Sequence, residues 1–247
     1  MRHLSYFLTN PTTLTKVPTI GIVGVTIPGA IDCINKINQK ARGNFEPHHH
    51  PNIILHQQNF GPTHQAQNQG RWDIVENRLI ESIETLAKSG ADFVIIPANT
   101  VHKVIDNLQK RATISVISML DMVAEECQQH NLKKVGILGT RWTMAEHLYQ
   151  KPLGIHNIEE IIPSEEDQNI VQEAIFQELI PTGNVKQQTL DELLAVTQRL
   201  KAKGCDGIAL ACTELPLVLN KENSGILTLD TTAILAEGAL RHAQMAS

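Results

Sequence analysis

The sequence predicts an α/β protein built as two similar domains with parallel sheets, related by a pseudo-twofold axis, with a ligand site in the cleft between them. Three observations carry this expectation. A long pattern occurs twice, as Gly90-Ala91-Asp92-Phe93-Val94-Ile95-Ile96-Pro97-Ala98-Asn99-Thr100 and as Gly204-Cys205-Asp206-Gly207-Ile208-Ala209-Leu210-Ala211-Cys212-Thr213-Glu214. A shorter pair, Gly21-Ile22-Val23-Gly24 and Gly136-Ile137-Leu138-Gly139, repeats upstream of each copy. Apolar runs of strand length alternate with segments of helical period almost throughout, the signature of βα units around parallel sheets.

Taken in order, strands are expected at Thr19–Val25, Asn52–Gln57, Phe93–Ile96 and Ile114–Ile117, then at Lys134–Leu138, Ile158–Ile162, Gly207–Ala211 and Ile226–Leu229. Trp72–Ser89 places Val75, Leu79, Ile83 and Leu86 on one helical face and stops at Gly90. Ser164, three residues before Asp167, resembles a cap opening a helix over Glu165–Leu179, and Leu190–Lys203 forms the next helix, closed by Gly204. The domains expected are 19–117 plus 228–247 and 118–227, after a leader over residues 1–18. Each copy of the long repeat reads as a helix-ending glycine, an acidic turn residue, a short strand and polar residues opening the next helix. Such strand-to-helix corners bind small ligands in open α/β sheets.

Composition narrows the classes of function. Hydrophobic residues make up 42% of the 247, and no apolar run is long enough to span a bilayer, so a soluble globular protein is expected. The net charge of -5 shows no basic excess, which argues against a nucleic-acid partner. The 4 cysteines, Cys33, Cys127, Cys205 and Cys212, lack C-x-x-C spacing and disulfide density, as fits a reducing cytoplasm. The leader lacks the apolar core of a secretory signal. No P-loop is present, and Gly21-x-x-Gly24 lacks the third glycine of a dinucleotide fingerprint.

Superposing the repeats puts Cys212 level with Ala98. Cys212 follows a strand, so its sulfur is expected at a helix N-terminus, where free N–H groups lower a thiol's pKa; the other three cysteines read as buried and structural. Asn99 and Thr100 at the matching corner either hold a carboxylate or cap a helix, and Thr140 and Thr213 have the same choice. Glu214 is either an orienting carboxylate or a favourable charge in a first helical turn. His102 either contributes a proton or positive charge to the site or packs as an ordinary helix histidine. His48-His49-His50 reads as a solvated loop rather than a metal site, since adjacent residues of an extended segment do not converge on one ion.

These residues resemble a known family. Pro97-Ala98-Asn99-Thr100-x-His102 is similar to the Pro-Cys-Asn-Thr-x-His motif, and Cys212-Thr213-Glu214-Leu215-Pro216 to the second motif, of the pyridoxal-phosphate-independent aspartate/glutamate racemases and their hydantoin-racemase relatives. The likeness runs from about Ile20 to Leu240. It implies two Rossmann-like or flavodoxin-like domains, a site between them, commonly a homodimer, a small amino acid or dicarboxylate as substrate, and neither metal nor organic cofactor. In the family one cysteine removes the α-proton while the other delivers a proton to the opposite face. Asn99, Thr100, Thr140 and Thr213 match positions that cradle the substrate carboxylate.

The chain departs from that pattern in three places. Ala98 has no titratable group, so two-thiol racemisation does not run as written unless Thr100, His102 or water stands in. Val25-Thr26-Ile27-Pro28 replaces a glycine-rich turn; Thr26 is still expected to line the cleft, with less close backbone approach. Ile175-Phe176-Gln177-Glu178-Leu179-Ile180 lacks the lysine of several aspartate-specific relatives, so Arg71, Arg141 or Lys186 would have to meet a second carboxylate. The leading expectation is an amino-acid racemase with Cys212 as acid/base. The alternatives are a single-cysteine decarboxylase or cis-trans isomerase of small dicarboxylates, and a non-catalytic carboxylate binder.

Overall fold

The computed structural model describes residues 18–44 and 50–245. The leader up to Val17, and His48 and His49, lie outside the described residues.

The first half runs β1 (Thr19–Gly24), α1 (Ile27–Asn44), β2 (Asn52–Gln57), α2 (Phe60–Asn68), α3 (Trp72–Lys88), β3 (Phe93–Ile95), a 3-10 turn (Thr100–Val104), α4 (Ile105–Arg111) and β4 (Ser115–Ile117). After α5 (Met119–Gln129) the second half runs β5 (Lys134–Gly139), α6 (Arg141–Ala145), α7 (Gln150–Ile155), β6 (Glu159–Ile161) and α8 (Glu165–Glu173). It continues through a π-helical turn (Ala174–Leu179), α9 (Ile180–Thr182), α10 (Gln187–Ala202), β7 (Gly207–Ala211), a 3-10 turn (Leu215–Leu217), α11 (Lys221–Ser224), β8 (Leu227–Asp230) and α12 (Thr231–Met245). The expected strands are all present, with ends shifted by a residue or so.

Both sheets are parallel, in the orders β2-β1-β3-β4 and β6-β5-β7-β8. Their registers coincide: Ile20 lies opposite Phe93 in one and Val135 opposite Gly207 in the other. The repeated glycine and aspartate explain why. Gly90 and Gly204 end α3 and α10 at φ +97° and +88°, a region that strains any residue with a Cβ. The following aspartate then binds the start of the neighbouring strand. Asp92 Oδ2 accepts from the Thr19 amide at 2.7 Å; Asp206 accepts from the Lys133 and Lys134 amides at 2.8 and 3.1 Å.

Because both sheet faces are covered, the strands read as continuous apolar runs, and alternation sorts their side chains into separate cores. Ile20, Ile22, Phe93 and Ile95 join Val135, Ile137, Ala209 and Ala211 in one core shared by the two halves, with Leu235 and Ala239 of α12. Val23, Val94 and Ile96 face α3, whose Val75, Leu79, Ile83 and Leu86 are buried as the spacing predicts. Leu138, Ile208 and Leu210 face α8 and α10.

Two expectations are corrected. Strand β8 pairs with β7, so residues 228–230 belong to the second sheet rather than to the first domain, while α12 packs on α1 and α5. Ser164 does cap α8, accepting from the Asp167 amide at 3.3 Å, but the helix expected to reach Leu179 changes at Ala174 into the π-helical turn. Among the described residues no helix is long and apolar enough to cross a membrane.

Candidate active site

The carboxyl ends of β1, β3, β5 and β7 meet around one cavity of about 100 Å³. Val25 and Thr26 follow β1, Pro97 to Val101 follow β3, Thr140 and Trp142 follow β5, and Ala211 to Glu214 span the end of β7. Close backbone packing brings the last two together: a Cβ on Gly139 would lie 2.7 Å from the Ala211 carbonyl oxygen. Cys212 and Ala98, each at the corner of its own half, both line this space.

The surroundings of Cys212 differ from the expectation. No α-helix begins there; Cys212 to Glu214 lead into the short 3-10 turn. The Cys212 Sγ donates to Glu214 Oε2 at 3.0 Å, and Thr213 Oγ1 donates to the same oxygen at 2.7 Å. Enclosure by protein and then the Glu214 carboxylate push the thiol well above its ordinary value, against weaker help from the Thr213 and Glu214 amides. The resting sulfur is therefore a protonated thiol beside a carboxylate rather than a helix-stabilised thiolate. Cys33, Cys127 and Cys205 are buried, with thiols pushed up to about 12, 12 and 11, chiefly by burial.

Three threonine hydroxyls join the halves beside the cavity, Thr100 and Thr140 lining it and Thr143 buried behind them. Thr100 Oγ1 lies 2.9 Å from Thr140 Oγ1 and 3.4 Å from Thr143 Oγ1, and Thr140 lies 3.2 Å from Thr143. Each hydroxyl has one proton to give, so three contacts among three hydroxyls can take up every O–H, and a ligand oxygen has to displace one of these bonds. Thr26 lines the cavity as expected, its Oγ1 also accepting from the Gly29 amide at 3.2 Å.

Asn99 lines the cavity and also bridges the halves. Its amide donates to Thr231 Oγ1 at 3.1 Å, and its Oδ1 accepts from the hydroxyl of fully buried Tyr149. One N–H of the amide is left for a ligand. Asn99→Leu would strand the Tyr149 hydroxyl without a partner, and is expected to cost about 1–3 kcal/mol of stability, read as a lower urea midpoint at unchanged slope.

His102 does not line the cavity. Its Nδ1 bonds the Ala98 carbonyl at 2.8 Å and its Nε2 accepts from the Met119 amide at 3.0 Å, so both nitrogens are spent on scaffold. Burial pushes its pKa down to about 4 from 6.5. Below pH 6.5 the unfolded chain takes up a proton that the folded chain refuses until about pH 4. Stability is thus full above that window and falls as pH drops through it, by roughly 2 kcal/mol at pH 5. Urea unfolding at pH 7.5 and pH 5 checks this.

None of the three candidate cations reaches the cavity either. Arg71 pairs with Asp73 at 2.7 Å, Arg141 Nη2 donates to Asn169 at 2.6 Å, and Lys186 lies 3.7 Å from Glu178. Phe60, His64 and Gln67 of α2 and Trp142 of α6 line the cavity and escaped the sequence reading, whereas Ile175, Phe176 and Ile180, also in the lining, come from the segment noted for its missing lysine. Phe60, His64 and Gln67 share the i, i+4, i+7 spacing of one helical face, a signal that was present but pointed to no chemistry.

Comparison with known proteins agrees with this geometry. The family model described as Asp/Glu/Hydantoin racemase matches residues 20–239. Broad specificity amino-acid racemase RacX of Bacillus subtilis (strain 168) is 29% identical over 168 residues, 68% of this chain and 72% of that protein. The solved structure of an aspartate racemase homologue from Pyrococcus horikoshii OT3 superposes with a TM-score of 0.80 at 30% identity, covering 92% of this chain and 99% of that one. A candidate Asp/Glu racemase from Yersinia pestis gives 0.85 at 30% identity, with coverage of 92% and 99%. A family model spanning nearly the whole chain and two paired parallel sheets with their corners on one cavity lead to a single conclusion: this chain belongs to the Asp/Glu/hydantoin racemase family.

Proposed function

We propose that the chain is a cofactor-independent amino-acid racemase of the aspartate/glutamate type in which Cys212 is the acid/base on one face and Ala98 occupies the opposing position. The observation that carries this reading is the Cys212 thiol, in the cavity, donating to the Glu214 carboxylate at 3.0 Å. Glu214 takes the thiol proton, and the thiolate so formed removes the α-proton of the bound amino acid. Charge then develops on the substrate carboxylate as it becomes enediolate-like, where the Asn99 N–H and a threonine O–H released from its cluster stabilise it. Return of a proton from Cys212 restores the starting configuration. Inversion requires a proton on the other face, and the methyl of Ala98 supplies none, so exchange outruns inversion. The same reading carries a homodimer working in a reducing cytoplasm.

Ala98 also favours a second reading, a single-cysteine decarboxylase or cis-trans isomerase of small dicarboxylates. Protonating one face of a carbanion needs one acid, and a resting thiol is one. Incubation in heavy water with L- and D-amino acids, followed by proton NMR and chiral chromatography, tests both. Exchange at the α-carbon, with or without inversion, supports the first reading. Carbon dioxide release or isomerisation of a dicarboxylate, without exchange on any amino acid, replaces it with the second. Ligand binding with no chemistry leaves a carboxylate binder.

A further inference from the structure

The cavity's polar groups account for an α-carboxylate and a moving proton, and the rest of its wall is of another kind. His64 sits among rings, 5.4 Å from Phe60, 6.4 Å from Trp142 and 6.2 Å from Phe176 between centroids. Beside them the π-helical turn contributes two consecutive residues, Ile175 and Phe176, and Ile180 follows from the next turn. An i→i+5 turn inside a helix commonly marks a functional site. Among the described residues no lysine or arginine lines the cavity.

We infer that this wall receives an apolar aliphatic side chain, so that the amino acid handled here is of the valine, leucine or methionine class rather than an acidic one. The inference rests on the α-proton reading above and deepens it. A second carboxylate placed against these rings and the isoleucines would lose its water without gaining a cation, an arrangement that strongly disfavours binding. An aliphatic side chain gains by leaving water at the same place.

Isothermal titration of the full chain with L-leucine, L-methionine, L-aspartate and L-glutamate reads binding independently of turnover. Leucine or methionine is expected to bind at least about tenfold more tightly than aspartate, a preference of the size one or two buried methylenes supply. Ile180→Lys, at a position 49% exposed where a long side chain is accommodated, should shift the ratio toward aspartate by about tenfold or more. Aspartate or glutamate binding as tightly as leucine overturns the inference, as does failure of all four to bind or a ratio that Ile180→Lys does not move. Exchange on aspartate but not on leucine removes the side-chain assignment and leaves the proton-transfer reading standing. Tight leucine binding without exchange does the reverse.

Discussion

Cys212→Ser is expected to abolish α-proton exchange, lowering its rate by on the order of 10²–10⁴-fold, the usual contribution of a positioned acid/base. The substitution keeps a small donor beside Glu214, where Sγ now lies 3.0 Å from Oε2, so the fold and the hydrogen bond survive. It changes the acidity of the group. A hydroxyl gives up its proton far less readily than a thiol, so the anion that takes the α-proton no longer forms to a useful extent. Loss of the α-proton signal in heavy water measures the effect, and Cys205→Ser serves as the comparison. Cys205 lies in the outer core of the second sheet, away from the cavity, and its replacement should leave exchange unchanged. Exchange at the full rate after Cys212→Ser would remove this residue from the mechanism.

The second large effect runs in the opposite direction. Ala98→Cys is expected to raise inversion, as distinct from exchange, by about 10²–10⁴-fold. Ala98 lines the same cavity as Cys212 and is only half-buried, packed at the margin of the first half's outer core, so a residue one sulfur larger has the cavity beside it. The bond that His102 makes at this position is to the Ala98 backbone carbonyl, which the substitution does not touch. Chiral chromatography of leucine or aspartate incubations distinguishes the outcomes. A variant that exchanges but inverts no faster than the natural chain would show that the two corners do not address opposite faces of one carbon.

What was legible in the sequence was whatever a local rule governs. Gly90 and Gly204 had to end helices because their φ values exclude most other residues, and Asp92 and Asp206 lay where a turn side chain reaches backbone amides. Equal spacing around them made the duplication visible, and with it the matching of Cys212 to Ala98, which both line one cavity. What depends on three-dimensional neighbours was not legible. The carboxylate of Glu214 turns back onto Cys212 through a 3-10 turn, which reversed the expected acidity of the thiol. His102 stands in the right motif but faces away, held by the Ala98 carbonyl and the Met119 amide. The aromatic wall comes from α2 and a π-helical turn remote in sequence from either corner, and no period in the sequence announces a turn that is one residue too wide.

The aspartate that secures each sheet does so at the amino ends of the strands, a full strand length from the cavity at their carboxyl ends. This divides the labour of the duplicated unit between its two rims. One rim fastens strand to strand within each sheet; at the other, Asn99 and the threonines fasten half to half, and none of those bonds involves the side chain at position 98. A thiol absent from one corner is then a mechanically silent event, and the catalytic repertoire of such a scaffold can diverge while its halves remain recognisably twins.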